Sequence, residues 1–146
     1  MLRSTALRTL PRIRCLSTMP ASKISDAIMN DHREIKEYYT NIRNASSTDE
    51  KTRWRNQFVW ELARHSVGEE LVVYPAFEKH VNGGKEMAEK DREEHQVVKD
   101  LLYEIQDMSV TKSEFEPLLE KLMTNLNQHI DEEEVFTSMR NANKVS

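Results

Sequence analysis

Cysteine is nearly missing from this chain. Cys15 is its single cysteine in 146 residues. That excludes an intramolecular disulfide framework and any multi-cysteine zinc or iron–sulfur site, so a metal held here must be held by histidine and carboxylate. Glycine (3) and proline (4) are also scarce. A β-sandwich or a Gly-rich nucleotide-binding sheet uses more turn punctuation, and the balance favours helices. No stretch approaches the roughly 18 apolar residues of a membrane-spanning helix. Acid is lacking at one place only. Residues 1–16 hold Arg3, Arg8, Arg12 and Arg14 and no carboxylate, and the first acidic residue is Asp26. The rest carries 17 of the 21 basic residues against all 25 acids, a net charge of −8. A body that acidic is a poor partner for nucleic acid phosphates.

An Arg-rich, Ser/Thr-bearing, acid-free start is the composition of a mitochondrial transit peptide. The arginines interrupt every apolar run that a secretory signal would need. Arg14-Cys15-Leu16-Ser17 resembles a matrix-processing site, with cleavage before Ser17. Residues 1–16 are therefore expected to be a leader, and the protein to reside in the mitochondrial matrix. Met19 offers a second start that would give a cytosolic form.

Four amphipathic patterns follow. The first covers about Ser22 to Asn44, with the stripe Ile24, Ile28, His32, Ile35, Tyr39, Ile42 at helical spacing. The second opens at Ser47-x-x-Glu50, a capping-box pattern, and runs through Trp54, Phe58, Leu62, His65, Glu69, Val72 and Ala76. Pro75 should kink or end it near Leu71–Tyr74, and Asn82-Gly83-Gly84 supplies a stop. The third runs from about Lys85 to Met108 through Met87, Asp91, His95, Val98, Leu102 and Ile105. The fourth opens at Ser113-x-x-Glu116 and continues through Phe115, Leu119, Leu122, Leu126, His129, Glu133 and Phe136. Trp54, Trp60, the four tyrosines, Met87, Met108 and Met123 read as packing residues, with room for one tyrosine beside a central site. Short connections of 3–6 residues join antiparallel neighbours, so the expected fold is all-α, an up-down-up-down four-helix bundle over residues 22–140 with a tail at 141–146.

Each stripe carries one histidine: His32, His65, His95 and His129. Glu69 and Glu133 each follow a histidine by four residues, only about 40° round the helix. One histidine on an apolar stripe is ordinarily a hydrogen-bonded core residue. Four at matched places, with two carboxylates that are costly to bury unpaired, need a shared explanation. The spacings supply it, with 33 residues from His32 to His65 and 34 from His95 to His129. Asp31-His32-Arg33-Glu34 parallels Glu94-His95-Gln96-Val97, and His65-Ser66-Val67-Gly68-Glu69-Glu70 parallels His129-Ile130-Asp131-Glu132-Glu133-Glu134. The chain is a weak duplication of a helical hairpin, and two such hairpins about a pseudo-twofold axis bring both sets together. Four imidazoles and two carboxylates without sulfur suit a dinuclear centre of iron, with manganese or zinc less favoured.

At these residues the chain resembles the hemerythrin family in its broader His-His-Glu branch, and Val72-Val73-Tyr74-Pro75 is similar to the family's hydrophobic-Tyr-Pro segment. The resemblance spans roughly Ile24 to Arg140. It implies a four-helix bundle around a non-haem di-iron centre with ligands His32, His65, Glu69, His95, His129 and Glu133. There are two departures. Oxygen-carrying members place a further histidine where this chain has Asp91, which becomes a candidate seventh ligand. They also place the last carboxylate five residues after the fourth-helix histidine, at Glu134 here. Glu133 fits a regular helix and the repeat, and Glu134 requires a widened turn.

Such a centre implies a protein that binds O₂ or a related small ligand (NO, peroxide), acting in oxygen or iron sensing, iron handling or oxidative-stress defence. The alternative is a di-iron enzyme of peroxidase-like, catalase-like or NO-reducing activity. From the leader, the native protein is expected to begin near Ser17. N-terminal sequencing of the protein from purified mitochondria checks this, and an intact Met1 in the cytosolic fraction overturns it.

Overall fold

The structure, a computed structural model, describes residues 24–142, with side chains described through Val135. The arginine-rich leader, Cys15, Ser17, Met19, the first residues of the expected first helix, the side chain of Phe136 and the last residues of the tail lie outside the described residues.

Helix α1 spans Ile24–Asn44 and α2 spans Thr48–Gly68. A π-helical turn at Glu69–Val73 leads directly into α3, Tyr74–His80. Helices α4, Gly84–Gln106, and α5, Phe115–Ala142, complete the chain. Since α2, the π turn and α3 form one continuous helical run, the architecture is the expected all-α four-helix bundle. Successive members are antiparallel neighbours, and α5 returns to pack on α1.

Local chemistry explains the joints. Ser47 Oγ accepts the Glu50 N–H at 3.2 Å, while the Glu50 carboxylate takes the N–H and hydroxyl of Ser46 at 2.9 and 2.8 Å. The capping box is present, with its return arm displaced by one residue. At Pro75 the helix neither ends nor breaks. The preceding turn widens, with the Tyr74 N–H donating to the Glu69 carbonyl five residues back. A proline has no N–H to donate and crowds the carbonyl four residues earlier, and a wider turn relieves both problems. The extra residue shifts the apolar face. Val73 and Tyr74 are buried, whereas Val72, expected on the stripe, is half exposed.

Gly83 sits at φ +71° and starts α4, and a Cβ on Gly84 would lie 2.0 Å from the Phe77 carbonyl oxygen. The connection at 107–114 is longer than expected, and Val110 and Phe115 fold inward to seal that end. The second capping box does not form. Ser113 Oγ donates to Glu114, while Glu116 pairs with Lys51 and, at 3.7 Å, with Arg43.

Buried side chains form two apolar clusters. The larger includes Ile35, Ile42, Phe58, Leu62, Ile105 and Leu119, and the smaller holds Val73, Tyr74 and Ala88 with Ile28 and Phe77 against them. Each fully buried large aliphatic or aromatic side chain contributes roughly 1.5–3 kcal/mol. Trp60 and Tyr103, expected to pack, point to solvent at 66% and 75% exposure, because each lies well round the helix from its buried neighbours Phe58 and Ile105. Ile24, in the first turn of α1, is also exposed. Trp54 does pack, stacked on Tyr38.

Arg55 is buried, and its Nη1 donates to the Ile105 and Met108 carbonyls at 3.1 and 2.8 Å, capping the end of α4. Arg55→Met removes both bonds and leaves two carbonyls short of donors. The expected loss is about 2 kcal/mol in urea unfolding of the metal-free protein. A change below about 0.5 kcal/mol, the size of an ordinary surface substitution, would contradict this account.

Candidate metal centre

The four stripe histidines meet in one layer between the two apolar clusters. His32, His65, His95 and His129 are each at most 3% exposed, and Glu69 is buried with them. Within the first hairpin the His32 and His65 rings lie 4.9 Å apart, and in the second His95 and His129 lie 4.5 Å apart. Each glutamate reaches one histidine of each pair. Glu69 Oε2 is 3.3 Å from His65 Nε2 and 3.2 Å from His95 Nε2. Glu133 Oε1 is 3.4 Å from His129 Nε2, and its Oε2 is 3.3 Å from His32 Nε2. The helical i,i+4 step supplies one contact of each glutamate, and the packing of the hairpins supplies the other.

A second set of groups stands against the rings. Glu94 Oε2 is 2.9 Å from His129 Nδ1, and Asp31 Oδ2 is 3.5 Å from His65 Nδ1. Glu134 Oε1 is 3.2 Å from His32 Nδ1. Tyr74 Oη lies 3.1 Å from both ring nitrogens of His95. Thus Glu133 and Glu134 both serve His32, on opposite edges of its ring. Helix α5 is regular there, and the widened turn lies in the other hairpin. Glu134, the last of four acidic residues from Asp131, reaches inward to His32. Asp91 is buried and groups with Glu94 and His129.

The centre is electrostatically divided. Burial, then the charge of Glu133, pushes the Glu69 carboxyl up to about 10. Burial acts on Glu133 in the same direction, but the His129 and His32 rings outweigh it and hold it well below the usual carboxylate range. Burial also works against a charged His129, yet Glu133 and Glu94 raise it to about 9. Burial, aided by the neighbouring His32, lowers His65 to about 4, and burial with His129 lowers His95 to about 3. Asp91 is raised to about 6, chiefly by burial. Two carboxylates this close cannot both ionise cheaply without a cation, so one keeps a proton.

The donor atoms fit a metal better than they fit one another. Among the described residues, His32 Nε2, His65 Nε2, His129 Nε2, both Glu69 oxygens and Glu133 Oε2 are buried without a hydrogen-bond partner. Their separations of 3.2–3.4 Å are long for hydrogen bonds. Ligands about 2.1 Å from one ion stand about 3.0–3.4 Å apart on adjacent corners of an octahedron or tetrahedron. His32, His65, Glu69 and Glu133 form one group within metal-binding reach, and Glu69, His95 and His129 form a second.

The structure brings together every residue singled out in the sequence: the four histidines, Glu69, Glu133, and, round the edge, Asp91 and Glu134. Sequence reasoning missed the work of Asp31 and Glu94. The signal was there, an acid immediately before the first histidine of each repeat. His80, off the repeat, is exposed.

Comparison with known proteins also points to cation binding. The family model described as the hemerythrin HHE cation binding domain matches residues 23–137. An uncharacterized hemerythrin-like protein of Schizosaccharomyces pombe is 60% identical over 114 residues, covering 77% of this chain and 56% of that protein. A DNA nickase of Nostoc is 26% identical over 120 residues, covering 81% of this chain and 34% of that protein. The chain thus spans about half and about a third of the lengths of these relatives. No solved structure matches the chain significantly.

Because Glu69 keeps its proton in the metal-free protein, Glu69→Gln should be nearly neutral there. Its unfolding midpoint is expected within about 0.5 kcal/mol of wild type. The same variant should lose most of the stabilisation that added metal gives, since a carboxamide is a poor ligand. Calorimetry with and without metal checks both halves. A large loss in the metal-free state would show that Glu69 is ionised there.

Proposed function

The chain belongs to the hemerythrin family of HHE cation-binding domains, and on that premise we propose that it holds two iron ions and binds O₂ or a related small ligand. His32 and His65 would hold one ion and His95 and His129 the other, with Glu69 and Glu133 each within reach of both pairs. The observation that carries this reading is the reach of each buried glutamate to one histidine of each pair. Nitrogen and oxygen donors without sulfur suit iron, and a paired set of carboxylates suits two ions a few Å apart. Two imidazoles and two bridging carboxylates leave each ion short of six ligands. Asp91, the candidate seventh ligand, groups with Glu94 and His129 and lies outside the Glu69, His95 and His129 set.

When bound, such a pair supplies reversible one-electron chemistry and open positions for a diatomic or peroxide ligand. The chain's own residues hold four buried imidazoles in one layer, flank that layer with apolar clusters, and would return the Glu69 proton to solvent as metal enters. These properties support a role in oxygen or iron sensing, iron handling or oxidative-stress defence, and the Arg-rich leader supports the mitochondrial matrix as the place. The activity named for the Nostoc relative is not carried over, because the acidic body lacks the basic surface that phosphates need.

Anaerobic loading with ferrous iron alone, followed by elemental analysis, tests the reading. About two irons per chain are expected. Uptake of one iron or none would overturn it. Glu133→Ala is expected to lower iron well below two, while Glu134→Ala, which loses only a contact behind His32, retains close to two. The reverse pattern would make Glu134 the ligand. Reversible spectral change with O₂ or NO supports the binding protein, whereas sustained turnover of H₂O₂ or NO supports a di-iron enzyme.

A further inference from the structure

The duplicated hairpins match contact for contact, except at one histidine. Asp31 behind His65 has its counterpart in Glu94 behind His129. Glu133, between His129 and His32, has its counterpart in Glu69, between His65 and His95. By the same symmetry Glu134 behind His32 should be answered by Glu70 behind His95. It is not. Glu70 turns outward and lies 2.6 Å from Lys99 Nζ, and Tyr74 stands against His95 instead.

The cause is the π turn at Glu69–Val73. The turn opens at Glu69, so the residues after it lose the register of the other hairpin, and Tyr74 is buried against His95. Helix α5 has no such turn, so Glu134 keeps its place.

The substitution changes how firmly one ring is held. A carboxylate accepting an in-plane N–H from Nδ1 fixes the ring's orientation and strengthens the opposite nitrogen as a ligand. Tyr74 Oη is 3.1 Å from both nitrogens of His95. A point equidistant from both at that range cannot lie in the ring plane without overlapping the carbon between them, so the hydroxyl sits over the ring face. Among the described residues, His95 is the histidine of the centre with no carboxylate at its back. The other three have Asp31, Glu94 and Glu134.

We propose, resting on the two-ion reading above, that His95 is the detachable ligand of the centre, that the ion on His95 and His129 is the exchangeable one, and that Tyr74 is its positioning residue. The ion on His32 and His65 is the retained one, with a carboxylate behind each imidazole.

The test uses the full chain with ¹⁵N-labelled histidine, loaded with two equivalents of zinc and mixed with excess chelator. Zinc is diamagnetic and redox-silent, so imidazole ¹⁵N signals report which rings are bound. Two release phases are expected, and after the fast one the His95 and His129 signals have returned to their free positions while those of His32 and His65 have not. Tyr74→Phe keeps the ring and its packing, and should speed the fast phase about tenfold with the slow phase unchanged. Glu134→Gln should speed the slow phase alone. Release in a single phase, earlier return of His32 and His65, or equal acceleration of both phases by Tyr74→Phe would each overturn the inference. Uptake of fewer than two zinc ions by the wild type would overturn the two-ion reading and this inference with it.

Discussion

Two glutamates buried among four histidines set the terms for the rest of this molecule. Glu69 and Glu133 sit where a bundle of this size would otherwise place aliphatic side chains. Their desolvation costs several kcal/mol, of order, unless a proton or a cation answers it. The metal-free protein answers with protons. Burial and the charge of Glu133 keep Glu69 protonated, and Glu133 stays ionised against His129 and His32. That solution leaves several donor atoms of the layer without hydrogen bonds. A pair of cations removes the conflict, because both carboxylates can then ionise and every orphaned nitrogen gains a partner.

The backing residues make the layer possible. An imidazole in an apolar bundle can spin about its Cα–Cβ and Cβ–Cγ bonds unless something fixes it. Glu94, Glu134 and Asp31 do so from the half-buried rim, where their outer oxygens remain accessible to water or to cations. Asp31 is shared with Arg64, whose guanidinium donates to it at 2.7 Å and also pairs with buried Glu61. The acidic cluster at Asp31, Glu34 and Glu61 therefore has a cation of its own from the chain. Glu94 stands near Lys90, which also pairs with Glu132. In both hairpins a basic side chain on the rim offsets the acid that holds the ring.

Much of this was legible before any coordinates. Helical spacing placed the four histidines, because a 3.6-residue period fixes which residues share a face. The duplication paired them, and the i+4 rule chose Glu69 and Glu133. What periodicity could not supply was the break in periodicity itself. Pro75 announced a disturbance, but a kink, a stop and a π turn all answer the same missing N–H, and tertiary packing selects among them. The π turn moved Val72 out and Tyr74 in, and no count along a regular helix could have foretold it. Trp60 was misread for a simpler reason. Its size suggested the core, while its position two residues after Phe58 already put it on the far side of the helix.

The placement of the layer also divides the work of folding. The larger apolar cluster lies on the Arg55 side, where α1, α2, α4 and α5 all contribute fully buried side chains. That end can hold the bundle together whether or not the donors are satisfied. The smaller cluster, beyond the layer, rests on Val73, Tyr74 and Ala88, and one of those three is the residue against His95. The end with the smaller apolar cluster is therefore the end that adjoins His95, which among the described residues has no carboxylate behind it. Cation binding at His95 and His129 would fasten what the hydrophobic effect leaves weakest.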